Sequence, residues 1–271
     1  MIQRFYNELL YPKKAGITPL APKTVKCIHG VFHKALKKAV EVGNMRHNPT
    51  EACELPRVVR PDIKPLEEDQ ITAFLNAIQG HTHEYLYKIA LFTGMRESEI
   101  HGLTWDCINF QNGTVYVKQQ LVKGREKGGQ YHMTTPKNNK TRMITVAPTV
   151  MELFKAQQAK QTLMKLDAGQ KWTQTDLVFT NATGGILSYR TTYDCFKRVV
   201  ANIGIPDARF HDLRHTYAVA SIKCGDDIKT VQENLGHATA AFTLDVYGHV
   251  TAQMKRDSAN RMEAFISSVS C

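Results

Sequence analysis

The stretch ARFHDLRHTYAVASIKCGDDIKTVQENLGHATAAFTLDVYGHV, residues 208–250, decides how the chain is read. Apolar residues recur at helical spacing over 213–224, 228–235 and 240–246, which predicts three successive helices, with a further one over 252–266. At the entry to the first, His211 and Arg214 stand three residues apart and so share one face, with Asp212 turned away. The same text also reads as a helix start at which His211 or Asp212 caps the backbone. Leu235-Gly236-His237 fits a C-cap glycine followed by a solvent-facing histidine. Tyr247, one turn after Thr243, fits a packing aromatic on a short helix.

Working outward, 149–166 and 189–203 read as helices and 177–180 as a short strand. Before them, 114–122 and 141–146 are β-rich and enclose the polar segment GREKGGQYHMTTPKNNK, which predicts a small antiparallel sheet with a mobile loop. Helices are predicted over 67–78, 85–92 and 97–103, with Gly94 ending the second. LPRVVRPDIKP, residues 55–65, has three prolines and no helical period, and reads as an extended linker. The organisation expected is a small helical domain over 1–54, the linker over 55–65, and a larger, mostly helical domain over 66–271.

In the first domain, 2–10 is amphipathic, and 23–42 carries Val25, Ile28, Phe32, Leu36 and Val40 at helical spacing. Pro22 before it and Gly43-Asn44 after it supply start and stop signals. Lys23, Lys26, Lys34, Lys37 and Lys38 lie on the same helix. That basic face suits a DNA backbone, and suits equally a solvated lysine face.

The whole chain has 35 Lys and Arg against 25 Asp and Glu, a formal charge of +10, which favours a polyanionic partner without identifying it. With 42% hydrophobic and 22% charged residues it reads as a globular, soluble, cytoplasmic protein. No run approaches the ~20 apolar residues of a membrane span, and MIQRFYNELLYPKK has no secretory pattern. The six cysteines (27, 53, 107, 195, 224 and 271) form no CxxC pair, which favours reduced structural thiols over a zinc site.

Four short texts, TGMRESEIHGLTW around Arg96, TPKNNKTR around Lys137, HDLRHT from His211 and LGHATAAFTLDVYGH from Leu235, together resemble the tyrosine recombinase, or phage integrase, family. The family builds its site from Arg, Lys, His-x-x-Arg, His or Trp, and Tyr in that order, and all six positions are filled. The resemblance runs from about residue 66 to the C-terminus. PKTVKCIHGVFHKALKKAVEVGNMRHNPTEACELP resembles more loosely the core-binding domain of integrases from prophages and conjugative elements.

The resemblance implies catalysis by Arg96, Lys137, His211, Arg214 and His237, with Tyr247 as nucleophile. Glu99, matching the family's glutamate three residues after the first arginine, is expected to orient neighbours or cap backbone groups. It implies a mainly α fold with a small antiparallel β-sheet, a recombinase catalytic domain preceded by an incomplete core-binding domain. It further implies a homotetramer on double-stranded DNA attachment sites, integration and excision of a mobile element, and a directionality factor as a further partner. The helix over 252–266 docks on a neighbouring subunit or packs on its own domain. Set against the family, the further helices that usually begin the core-binding domain, often after a separate arm-site DNA-binding domain, are not present before Met1, and the chain reads as shortened.

The chemistry suits these residue types in its own right. Two guanidiniums can hold the non-bridging oxygens of a phosphodiester with permanently charged, fork-like donors. A tyrosine of free pKa ~10 needs a base or positive surroundings to attack. A lysine on a hairpin can protonate the departing 5′ oxygen. The scheme requires no cofactor, metal or ATP, because the phosphotyrosine retains the energy of the diester.

Three rival readings stand beside it. A metal-dependent nuclease or hydrolase has His81, His83 and the His211/His215 pair as candidate ligands, but lacks clustered carboxylates and has arginines beside the histidines. A non-catalytic DNA-binding remnant fits a shortened chain, and a type IB topoisomerase shares the chemistry.

Overall fold

The structure, a computed structural model, describes residues 1–14, 16–59, 64–124, 129–136, 140–236 and 251–269. The chain divides into two compact units, Met1–Asp62 and Ile63–Cys271.

The first unit pairs α1 (Ile2–Leu10) with α2 (Pro22–Glu41). Pro22 starts α2 where its missing N–H costs nothing. Tyr6 and Val25 are fully buried between the helices, and the Tyr6 hydroxyl lies 3.2 Å from His29 Nδ1. The segment after α2 returns to α1: Glu54 N–H donates to Gln3 Oε1 at 2.8 Å, and Gln3 Nε2 to the Glu54 carbonyl at 3.2 Å. Asn48 and Thr50, both buried, complete a polar seam with His33, whose Nδ1 is 2.9 Å from Thr50 Oγ1. Lys23, Lys26, Lys34, Lys37 and Lys38 are all exposed on α2, with Lys38 paired to Glu41 at 3.1 Å.

The second unit is built around α4 (Glu84–Thr93), which buries Leu86, Tyr87, Ile89, Ala90 and Leu91. Around it stand α3 (Glu68–Ala77), α6 (Pro148–Ala168), α7 (Tyr189–Asn202) and α8 (Phe210–Lys223). Phe74, Tyr87, Phe196 and Phe210, one from each of α3, α4, α7 and α8, meet with ring centroids 5.7–6.2 Å apart. Burial of four such rings at the tilted and edge-on angles aromatics favour holds these helices together. The short α5 (Glu97–His101), α9 (Ile228–Leu235) and α10 (Thr251–Val269) complete the described helices. No described helix is long and apolar enough to cross a membrane.

Two antiparallel sheets replace the single one expected. β1 (Ile108–Asn109), β2 (Thr114–Val117) and β5 (Arg142–Thr145) form one, in the order β1-β2-β5 with Val115 opposite Ile144. β3 (Gln120–Lys123) pairs separately with β4 (Tyr131–Thr134). The ladder breaks at Gln119, whose amide donates to the Gly102 carbonyl at 3.0 Å and so draws the chain onto α5. Part of the predicted loop is therefore strand: β4 lies in it. The strand expected over 177–180 is reduced to isolated bridges, Thr104 with Leu177 and Thr180 with Ile186. Its carbonyls are taken by α6 side chains instead, Val178 by Gln157 at 2.9 Å and Leu177 by Gln161 at 2.8 Å. The helix expected over 240–246 lies outside the described residues.

Candidate active site

Three arginines distant in sequence meet in the second unit. Arg96 precedes α5, Arg142 begins β5 and Arg214 lies on α8. They converge on the last turn of α9, whose final carbonyls have no partner within the helix and carry the partial negative charge of its dipole. Arg142 Nε donates to the Asn234 carbonyl at 2.7 Å, Arg214 Nη2 to that of Leu235 at 2.5 Å, and Arg96 Nη2 to that of Gly236 at 3.1 Å. Three successive carbonyls are thus held by three different guanidiniums. Gly236 makes the approach possible: it ends α9 in the left-handed region, φ 63°, and a Cβ there would stand 3.0 Å from Arg142 Nη1.

Among the described residues one carboxylate serves this cluster. Glu99 is 1% exposed and accepts from Arg96 Nη1 at 2.7 Å and from Arg142 Nη1 and Nη2 at 2.9 and 2.7 Å. It also accepts the Arg96 backbone N–H at 2.8 Å, capping α5. Burial pushes its carboxyl up, but the Arg142 hydrogen bonds and the charges of Arg142 and Arg96 overcome this and hold it at about 2. Glu99 is therefore ionised at any working pH. Against three guanidiniums it leaves the cluster with a net positive charge, in a place where an anion is the natural guest.

The arginines differ in access. Arg214 is 2% exposed and also donates to the Gly94 carbonyl at 2.7 Å, at the left-handed C-cap that ends α4. Arg142 has 9% of its side chain exposed and Arg96 27%. Arg96 is thus the most open of the three.

His211 lies one turn before Arg214 and is exposed. Partial burial of its ring, then the charge of Arg214 and, at longer range, Arg96 and Arg209, lower its pKa against the opposing pull of Asp212. It is therefore neutral over more of the pH range, the form in which an imidazole can accept a proton. Asp212 is turned away from that face: it is buried, accepts the Arg209 N–H at 2.8 Å and pairs with the Arg209 side chain at 2.7 Å. It caps α8, while His211 and Arg214 occupy the other face.

His215, one turn further, meets His211 edge-on with centroids 4.8 Å apart, and burial followed by the His211 charge holds it at about 4. Among the described residues no three His, Cys, Asp or Glu side chains come together as a metal site. The rings at i and i+4 face each other beside Arg214 and Arg209, an environment hostile to a cation.

The structure thus brings together Arg96, Glu99, His211 and Arg214. Lys137, His237 and Tyr247 lie outside the described residues. Arg142 was missed by sequence reasoning. The signal was present in β5, where Arg142 and Ile144 are two residues apart and share a face, so an arginine stands in the inward register.

The model of the phage integrase family matches residues 64–254. A tyrosine recombinase XerC-like protein of Caldanaerobacter subterraneus subsp. tengcongensis is 27% identical over 96% of this chain and 69% of its own length. A tyrosine recombinase XerD of Halalkalibacterium halodurans is 30% identical over 78% of this chain and 65% of its own length. The chain thus spans about two thirds of these curated relatives. The integrase of transposon Tn1549, solved with transposon right end DNA, superposes with a TM-score of 0.77 at 23% identity, covering 95% of this chain and 84% of that one. The likeness is one of fold, helices and small antiparallel sheets in the same arrangement. Since the match takes in every element that carries the arginine cluster, the chain belongs to the phage integrase family.

Proposed function

We propose that the protein is a site-specific DNA recombinase that cleaves and rejoins strands through a 3′-phosphotyrosine on Tyr247. The observation that carries this reading is the convergence of Arg96 and Arg214 with a single ionised carboxylate, which leaves net positive charge for a phosphodiester. In this scheme Arg96 and Arg214 hold the non-bridging oxygens as charge builds on them. The Tyr247 oxygen bonds to phosphorus as the bond to the 5′ oxygen breaks; Lys137 delivers a proton to that oxygen. The tyrosine proton passes to a neutral histidine, the form in which the lowered pKa holds His211, and His237 completes the positive surroundings. Attack by an incoming 5′-hydroxyl runs the steps in reverse, so neither metal nor ATP enters.

The wider assignments belong to the same reading. Residues 66–271 act as the catalytic domain and 1–54 as part of a DNA-binding domain. The exposed lysines of α2 face the DNA backbone, and a tetramer on two duplexes carries out integration and excision of a mobile element. The transposon integrase fold and the recombinase relatives support it.

The test is incubation with a nicked suicide DNA substrate in EDTA, over a panel of candidate attachment sites, followed by a denaturing gel. A protein–DNA adduct formed by the natural chain and lost in Tyr247→Phe supports covalent catalysis. Cleavage that appears only with added metal refutes it, and DNA binding without any adduct points to a non-catalytic role.

A further inference from the structure

We propose that Arg142 is a positioning residue for strand cleavage: from β5 it locks Glu99 against Arg96 and fixes the end of α9, from which the segment carrying His237 and Tyr247 departs. The inference rests on the reaction proposed above.

The guanidinium of Arg142 spends all three of its nitrogens inside the cluster, Nη1 and Nη2 on the two oxygens of Glu99 and Nε on the Asn234 carbonyl. So placed, and nearly buried, it has its fork engaged on the Glu99 carboxylate rather than left for a phosphate. Its action therefore passes through other groups. Glu99 Oε1 is shared between Arg142 and Arg96, so the position of the carboxylate sets the position of the more open guanidinium. The Asn234 contact ties the same side chain to the turn whose next two carbonyls are held by Arg214 and Arg96. One side chain thus joins a phosphate-binding arginine to the base of the segment that bears the nucleophile.

The charged groups acting on Glu99 are Arg142 from β5 and Arg96 from the turn before its own helix; α9 faces the cluster with carbonyl oxygens, and Arg214 of α8 is bonded to Gly94 and Leu235. Without Arg142, Glu99 keeps its burial but loses its main counter-charge, so protonation moves up toward working pH. A neutral Glu99 no longer aims Arg96.

The experiment compares the natural chain with Arg142→Gln, Arg142→Lys and the double variant Arg142→Gln/Glu99→Gln. Rates of adduct formation at saturating suicide DNA, DNA affinity and the pH profile of cleavage are measured. Arg142→Gln is expected to slow cleavage about 100-fold, the scale of an ångström's misplacement, while affinity changes less than about threefold. It gains an acid limb absent from both the natural chain and the double variant. Arg142→Lys, a point charge without the fork, recovers only part of the rate. An unchanged rate in Arg142→Gln, or a loss of affinity in proportion to the loss of rate, overturns the inference.

A second readout does not depend on activity. In a carbon-13 carboxyl titration Glu99 of Arg142→Gln is expected to protonate at higher pH than in the natural chain, and identical titrations overturn the inference. Failure of the natural chain to form any adduct counts instead against the phosphotyrosine reaction.

Discussion

Replacing Gly94 by alanine tests how tightly the end of α4 is built into the arginine site. Gly94 closes α4 at φ 62°, and its carbonyl accepts from Arg214. A Cβ there would overlap Tyr217 Cδ1 and stand 2.7 Å from Leu235 Cδ2. The left-handed backbone costs an alanine ~1–2 kcal/mol. Overpacking against the α8 and α9 side chains adds ~1–3 kcal/mol. The sum, about 3 kcal/mol, corresponds to roughly 10 °C in Tm for a unit of this size. Gly204 supplies the control, because it has φ 79° and no atom within 4 Å of a built Cβ, so Gly204→Ala carries the backbone strain alone. Calorimetric melts of the two variants should differ by more than half of the Gly94→Ala loss. If Gly94→Ala proves no worse than Gly204→Ala, the steric argument is wrong, and with it the claim that α4, α8 and α9 are locked at this point.

Three further outcomes are expected. Burial lifts Glu97 to about 7, with Thr192 opposing, and its Oε1 has no hydrogen-bond partner among the described residues. A carboxyl raised in the fold adds stability at low pH that is lost as pH rises from its ordinary 4.5 through 7, by about 2 kcal/mol after allowing for partial exposure. Melts at pH 5 and 8 should show this fall in the natural chain and a smaller one in Glu97→Gln; equal falls would contradict the assignment. Burial, with the charge of His83 adding, depresses His101 to about 4 despite its bond to the Leu187 carbonyl. The folded state then takes up no proton there between pH 6.5 and 4 while the unfolded chain does, so this residue removes ~1.4 kcal/mol per pH unit on acidification. His101→Gln should melt with a shallower acid slope, and an unaltered slope counts against a neutral His101. On α2, Lys34→Glu with Lys37→Glu should weaken DNA binding across sequences and flatten the dependence of log affinity on log salt by about 2, one for each phosphate no longer neutralised; an unchanged salt slope removes these lysines from the interface.

The helices were legible because their apolar spacing and their punctuation agree: Pro22 starts α2, Gly94 ends α4 and Gly236 ends α9. His211 and Arg214 were legible because i and i+3 on a helix share a face whatever surrounds them. The split of the sheet was not, since it depends on the Gln119 amide finding Gly102, a contact that no periodicity encodes. Nor was the loss of the 177–180 strand, whose carbonyls are claimed by glutamines of α6. Arg142 was hidden in a lysine-rich text, and only its inward register beside Ile144 marks it. Asp212 was legible as turned from the face of His211 and Arg214 by the same helical geometry, and its capping of α8 is fixed by Arg209.

The arginine cluster also has a history within each molecule. Its bonds join residues 140, 120 and 92 positions apart, from Arg96 to Gly236, Arg214 to Gly94 and Arg142 to Asn234. Closing such long loops costs entropy before any contact rewards it, so these bonds belong to the slow, late part of folding. A chain still emerging from the ribosome, or one partly opened by heat, has no assembled arginine cluster. If the cluster grips a phosphodiester as proposed, the capacity to cut DNA is among the last things the chain acquires, and a half-made molecule remains harmless to the genome it touches.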